Sequence, residues 1–259
     1  MSAEMRPAER RWFDEAVARR AASSGASAAV IARRLEARLA AGEPLQYVLG
    51  TWSFRGHELR VDHRALIPRY ETEQLVEHVL AAVRTGMRVL DVGTGSGAIA
   101  ISLALEGPRL EVTGSDVDPR ALALARENVR ATGALVTLVR RSWFEGAEPE
   151  SLDVVVANPP YVAASEWERL DPAVRVFEPR VALVPGPSGL EGPMAVIGGA
   201  RVALRPGGWL FMEIGETQGE RLVAEASAQG YGDVTVERDL AGRPRVLVAR
   251  WPGATRAAS

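Results

Sequence analysis

The sequence predicts an α/β fold: a seven-stranded, doubly wound, mostly parallel sheet, preceded by a small N-terminal helical part and a connecting β-hairpin. Three observations carry this. From Arg88 onward, short apolar runs alternate with amphipathic stretches of helical period, the pattern of strand–helix–strand crossovers in a parallel sheet. The last two apolar runs are separated only by "LAGRP", too short for a crossover, so they are expected to pair antiparallel. Before Arg88 the chain holds two amphipathic stretches and one alternating segment with a turn signal.

The elements follow in order. "PAERRWFDEAVARRAA" places Trp12, Phe13, Ala16 and Val17 on one helical face, and Pro7 suits a first turn. "SAAVIARRLEARLAAG" repeats the pattern with Val30, Ile31, Leu35 and Leu39, and Gly42 fits its C-terminal cap. Helices this short need a partner surface, so residues 1–50 are expected to form a small helical domain. "TWSFRGHELRVD" reads as a hairpin turning at Gly56-His57, with residues 51–66 as connector. "YETEQLVEHVLAAV" is a helix with Leu75, Val76, Val79 and Leu80 inward. Strands are expected at "RVLDV", "LEVTGSD", "LVTLVR", "LDVVVAN", "GWLFMEIG", "VTVERD" and "RVLVARW", within a domain spanning 67–253; residues 254–259 read as a disordered tail.

Composition narrows the chemistry. The chain has 259 residues, a net charge of −2 and no cysteine, which removes disulfides, thiolate metal sites and cysteine nucleophiles. No metal site is expected. All 31 basic residues are arginine. No apolar run approaches the length needed to span a bilayer, and the charged N-terminus has no signal-peptide core. A cytoplasmic protein is therefore expected, without membrane contact. The mild acidity also argues against direct nucleic-acid binding.

Chemistry concentrates in two places. The first is "VLDVGTGSGAIAISLA", a strand, a glycine-rich turn and a helix. Gly93, Gly95 and Gly97, with Thr94 and Ser96 between them, would let a ligand approach main-chain atoms. Asp116, about 20 residues on after the next strand, is placed to bind ribose hydroxyls. The turn also satisfies a dinucleotide pattern. Asp91, expected at the mouth of the loop, would repel a pyrophosphate and attract a cationic ligand, so the loop favours S-adenosyl-L-methionine over a nicotinamide cofactor.

The second place is "LDVVVANPPYVAAS". The fourth strand of such a sheet ends beside the first, so Asn158-Pro159-Pro160-Tyr161 would face the same ligand. Two prolines stiffen the loop. The Asn158 side-chain carbonyl and the Pro159 main-chain carbonyl are two acceptors for a substrate –NH₂ group, and Tyr161 adds a flat surface with a polar edge. An amide or aromatic amine held by both N–H groups would have its lone pair aimed at a methyl donor. Positioning can supply up to about 7–11 kcal/mol of a barrier, so no strong base is required. His57, His63 and His78 all precede the sheet and read as surface or structural residues.

"NPPY" after a strand, with "DVGTGSG" before it, resembles the amino-methyltransferases of the class I S-adenosylmethionine-dependent fold. "GEPLQYVLG", "LIPRYETEQLVE", "FEPRVAL" and "DLAGRPRVLVAR" narrow this to similarity with the bacterial protein-(glutamine-N5) methyltransferases that act on class I peptide chain release factors. The resemblance spans Gly42 to the end of the chain. It implies methylation of the glutamine in the release factor's Gly-Gly-Gln loop. Cofactor contacts would come from Asp91, Gly93–Gly97 and Asp116. Trp143, in "SWF", would lie beside the adenine. Asn158 and Pro159 would be catalytic, with Pro160 and Tyr161 also on the substrate, and Asn158 would touch the cofactor as well. The early helices would recognise the partner, with the enzyme acting as a monomer. Tyr70 stands where the family usually has proline, Ser142 where an acid commonly precedes the tryptophan, and the N-terminal helical region is shorter than usual. The alternatives are a ribosomal-protein glutamine methyltransferase, a nucleic-acid adenine-N6 methyltransferase, or a non-catalytic module that retains the fold.

Overall fold

A computed structural model describes residues 5–253; the expected tail, 254–259, lies outside them. The chain opens with α1 (Pro7–Ser24), α2 (Ala28–Ala40) and α3 (Leu45–Leu49). Phe13, Ala16 and Val17 meet Ile31 and Leu35 in one apolar cluster closed by Val48 and Leu49. Gly42 ends α2 as expected. Its backbone is left-handed, its N–H donates to the Leu39 carbonyl at 2.9 Å, and the Glu43 N–H reaches back to Arg38 at 3.2 Å.

The hairpin β1 (Thr51–Phe54) and β2 (His57–Arg60) pairs antiparallel, Phe54 opposite His57. Its turn lies one residue earlier than expected, at Arg55-Gly56. Both turn residues have positive φ, 50° and 78°, the twist a two-residue hairpin loop requires. Helix α4 (Tyr70–Ala82) then leads into the sheet.

The sheet elements are β3 (Arg88–Val92), α5 (Ala98–Glu106), β4 (Glu111–Asp116), α6 (Pro119–Thr132), β5 (Val136–Arg140) and β6 (Leu152–Ala157). They continue through α7 (Pro172–Phe177), α8 (Glu191–Ala203), β7 (Leu204–Glu213), α9 (Gly219–Ala228), β8 (Gly232–Arg238) and β9 (Pro244–Arg250). The strand order is β5-β4-β3-β6-β7-β9-β8, with β9 antiparallel to both neighbours and the other pairings parallel. The seven strands and the antiparallel final hairpin are those the spacing predicted.

Side-chain alternation along the strands makes two cores. Val89, Val112, Val154, Val156, Phe211 and Val246 face α4 and α5, whereas Leu90, Val92, Val155, Ala157, Leu210 and Met212 face α8 and α9. Burial on both faces explains why these strands read as apolar runs rather than alternating ones. It also fixes a polarity: Asp91, Asn158 and Glu213, each two residues beyond a valine or phenylalanine of the first face, emerge on the α4–α5 side at the carboxyl ends of adjacent strands.

Between β6 and α8 the chain builds structure the periodicity did not predict: short 3-10 turns at Ala164–Arg169 and Arg180–Ala182, with α7 between them. Phe177 packs against Tyr47, Val61 and Ile67, so this segment joins the helical part and the connector to the sheet.

Candidate active site

A cavity of about 310 Å³ opens at the carboxyl ends of β3, β4 and β6. The crossover reverses direction here, with β3 between β4 and β6, which is where ligands bind in open α/β sheets. On one side lie Gly93, Thr94, Gly95 and Ser96, then Asp116 and Trp143; on the other lie Thr72, Asn158, Pro159 and Pro160. Pro179, Val181, Ala182, Val184 and Pro185 form an apolar wall.

The glycine loop hangs from the end of β4. The N–H groups of Gly93 and Thr94 both donate to the Ser115 carbonyl at 2.8 Å, and Gly97 caps α5 from a left-handed backbone, φ 86°. A side chain on Gly93 would project into open space, so its backbone is left accessible to a ligand. The Asp116 carboxylate accepts the Gly95 N–H at 3.0 Å and the Asp118 N–H at 2.9 Å. Burial pushes its pKa up, against the pull of these two donors. Each oxygen keeps a further lone pair for a diol.

Asp91 is not at the mouth of this loop, contrary to expectation. It shares the face of Val89 and lies fully buried beneath the turn, away from the cavity wall. One oxygen accepts from Thr94 Oγ1 at 2.6 Å and from the Ala100 N–H at 3.2 Å; the other has no partner. Burial pushes its pKa up to about 7. Gly97 also stands back, packed on Ile101 and Ala125.

Trp143 lines the cavity from a left-handed backbone, φ 46°. A bulky residue adopts that conformation only where its surroundings hold it. Here the ring packs on the edge of the α8–α9 core.

Asn158 Nδ2 donates to Thr72 Oγ1 at 3.2 Å. That hydroxyl donates to Glu213 Oε2 at 2.6 Å, and the Tyr161 hydroxyl donates to Glu213 Oε1 at 3.2 Å. Tyr161 therefore turns from the cavity toward Glu213 instead of lining it. Burial beside that carboxylate pushes the phenol pKa up. The stiff loop is pinned from behind by Gln218, whose Nε2 donates to the Tyr161 carbonyl at 2.9 Å. Gly192 of α8 lies so close that a side chain there would stand 2.5 Å from the Pro160 carbonyl.

Thr72, Glu213, Gln218 and the pair Arg69–Glu178 were not singled out from sequence. Glu178, in "FEPRVAL", is buried; it accepts the Ile67 N–H at 3.1 Å and pairs with Arg69 on the cavity rim. The segments "LIPRYETEQLVE" and "GWLFMEIG" contain Thr72 and Glu213, yet nothing local marks them as partners 141 residues apart. Among the described residues no cluster of acids and histidines could hold a metal ion, and no helix is long and apolar enough to cross a membrane.

This arrangement fits S-adenosylmethionine. An accessible glycine backbone, the Asp116 carboxylate at the end of β4 and the Trp143 ring line one cavity, and the buried Asp91 lies beneath the glycine loop.

Comparison with known proteins agrees. Residues 70–178 match the methyltransferase small domain family. The release factor glutamine methyltransferase of Geobacter sulfurreducens is 42% identical over 84% of this chain and 77% of its own length. That of Cereibacter sphaeroides is 43% identical over 86% and 81%. Among solved structures, a methyltransferase from Pyrococcus furiosus superposes with a TM-score of 0.59 at 19% identity, covering 78% of this chain and 92% of that one, which speaks for the fold. The E. cuniculi Mtq2-Trm112 complex, responsible for methylation of the translation termination factor eRF1, reaches 0.54 at 25% identity, over 74% and 99%. The sheet is that of the S-adenosylmethionine-dependent methyltransferases, and with relatives of this identity over most of its length the chain belongs to the release factor glutamine methyltransferase family.

Proposed function

We propose that the protein methylates the side-chain amide nitrogen, N5, of the glutamine in the Gly-Gly-Gln motif of class I peptide chain release factors. One observation carries the reading: Asn158, Pro159 and Pro160 share a single cavity with Gly93–Ser96 and Asp116, at the ends of adjacent strands. When bound, S-adenosylmethionine supplies an electrophilic methyl group on a positively charged sulfur.

The chain's own residues position the acceptor. With its NH₂ turned toward Thr72, Asn158 offers its carbonyl to one N–H of the substrate amide, and the Pro159 carbonyl takes the other. Both hydrogen bonds strengthen as the nitrogen becomes positive, so they favour the transition state over the ground state. The Pro179–Pro185 wall gives the cavity an apolar side, where such bonds are electrostatically stronger than in water. No histidine lines the cavity among the described residues, and none is required. The charged methylated amide is far more acidic than its parent and gives up its proton to solvent water at the cavity mouth once transfer is complete.

Asp116 would hold the ribose hydroxyls, and Trp143 would lie on the adenine. The acid under the loop supports a cationic cofactor. Residues 1–50 would recognise the release factor, and the enzyme would act as a monomer in the cytoplasm, where its substrate works. The net charge of −2 supports a protein substrate over a nucleic acid. The test is transfer of label from S-adenosylmethionine to a purified release factor, beside a variant with alanine for the glutamine of its Gly-Gly-Gln loop. Label on the parent factor alone is expected. Equal label on both would move the modified residue elsewhere.

A further inference from the structure

We infer that Thr72 and Glu213 are positioning residues that set which way the Asn158 amide points, holding its carbonyl toward the cavity. The inference rests on the reading of Asn158 as an acceptor for the substrate amide.

An asparagine amide has two faces of opposite character, a carbonyl that accepts and an NH₂ that donates. Only one orientation can receive a substrate –NH₂ group; the other would set donors against donors. Asn158 stands on a loop at the end of β6 and has no means of choosing by itself. The choice is made two bonds away. Glu213, the last residue of β7, is 1% exposed; burial pushes its pKa up, while the Thr72 and Tyr161 hydroxyls, each donating to one of its oxygens, and the charge of Arg245 pull it down. Thr72, in the first turn of α4, is 4% exposed and has a single hydroxyl proton. At 2.6 Å that proton belongs to Glu213 Oε2, so the Thr72 oxygen is left able only to accept. Asn158 must then turn its NH₂ to Thr72, which it does at 3.2 Å. Reversal would set the Asn158 carbonyl against the Thr72 oxygen, two acceptors face to face beside a residue that is 4% exposed. Glu213 Oε1 is meanwhile held by the Tyr161 hydroxyl at 3.2 Å, so one end of the Asn158–Tyr161 loop is tied to the carboxylate directly and the other through Thr72. The same polarity works on the substrate: a carbonyl at this place welcomes a carboxamide and repels a carboxylate, which favours glutamine over glutamate.

The test compares two substitutions in methyl transfer to a class I release factor. Thr72→Val keeps the branched shape and removes the hydroxyl; Thr72→Ser keeps the hydroxyl. Thr72→Val is expected to lower kcat by about tenfold or more, with the affinity for S-adenosylmethionine within about twofold, and Thr72→Ser to stay within about threefold of the parent. Equal rates in the two variants, or a Thr72→Val protein as fast as its parent, would overturn the inference. Should Thr72→Val not fold, Glu213→Gln decides. Its neutral amide can pair with Thr72 in either sense, so the direction is lost and kcat is expected to fall about threefold or more; an unchanged kcat would overturn the inference. Asn158→Ala is run alongside. If it transfers at the parental rate, the reading of Asn158 itself fails, and that result is distinct from a silent Thr72.

Discussion

Burial pushes the Asp91 carboxyl up to about 7, with Asp116 nearby adding to the shift and the Thr94 and Ala100 donors opposing it. The sign of two consequences follows. For folding, a raised acid binds a proton in the native state that it has lost in the unfolded chain, so its contribution to stability falls as pH rises from its ordinary 3.8 toward 7. For a cationic ligand above the loop the effect is opposite, because the charge that attracts it appears in the folded protein as the pH passes through about 7. S-adenosylmethionine is therefore expected to bind more tightly at pH 8 than at pH 6, and Asp91→Asn to weaken binding at pH 8 and flatten the dependence. Calorimetric titration at the two pH values checks this; a flat profile in the parent protein would leave Asp91 a structural acid only.

At the scale of elements, the glycine loop is held by its neighbours as much as by its own turn. Asn128 of α6 is buried, accepts the Arg60 N–H at 2.7 Å, and donates to the Arg60 and Ser96 carbonyls at 3.0 and 2.9 Å. One side chain thus ties the hairpin, α6 and the loop together. Asn128→Ala strands these backbone groups and is expected to cost on the order of 1–3 kcal/mol in chemical denaturation, and to weaken cofactor binding as the loop loosens; a variant as stable as the parent would show that water replaces the amide.

What the sequence made legible at this scale has a physical pattern. The seven strands were readable because each is an apolar run bounded by turn residues, and the final antiparallel pair because five residues cannot cross a sheet. The loops at Gly93–Gly97 and Asn158–Pro160 were readable because their chemistry is local. Leu45–Leu49, Pro172–Phe177 and the 3-10 turns were missed because five or six residues hold too little helical period to see. Thr72 and Glu213 were missed for another reason: their meaning lies in a hydrogen bond between distant segments. Asp91 was noticed, but strand alternation put it under the loop and not at its mouth.

At the scale of the molecule, Trp52 is where the helical part meets the site. Its ring stands edge-on to Trp12 of α1, with centroids 5.4 Å apart, and to Tyr70 at the start of α4, 6.2 Å apart. Tyr70 is largely exposed, two residues from Thr72. Such pairs contribute about 0.5–1.5 kcal/mol each beyond the area they bury. Trp52→Ala is expected to speed hydrogen exchange in α1 and α2 while leaving the central strands protected, and to raise the KM for the release factor with little change in cofactor affinity. Exchange that rises equally in the sheet would mean that the ring supports the fold as a whole.

Catalysis turns on Asn158 holding the substrate amide for transfer. The measurement that reaches it most directly is the single-turnover rate of methyl transfer to a release factor by Asn158→Ala, with S-adenosylmethionine affinity measured on the same protein. The predicted result is loss of transfer with cofactor affinity nearly intact. Transfer at the parental rate would show that Asn158 does not hold the substrate amide.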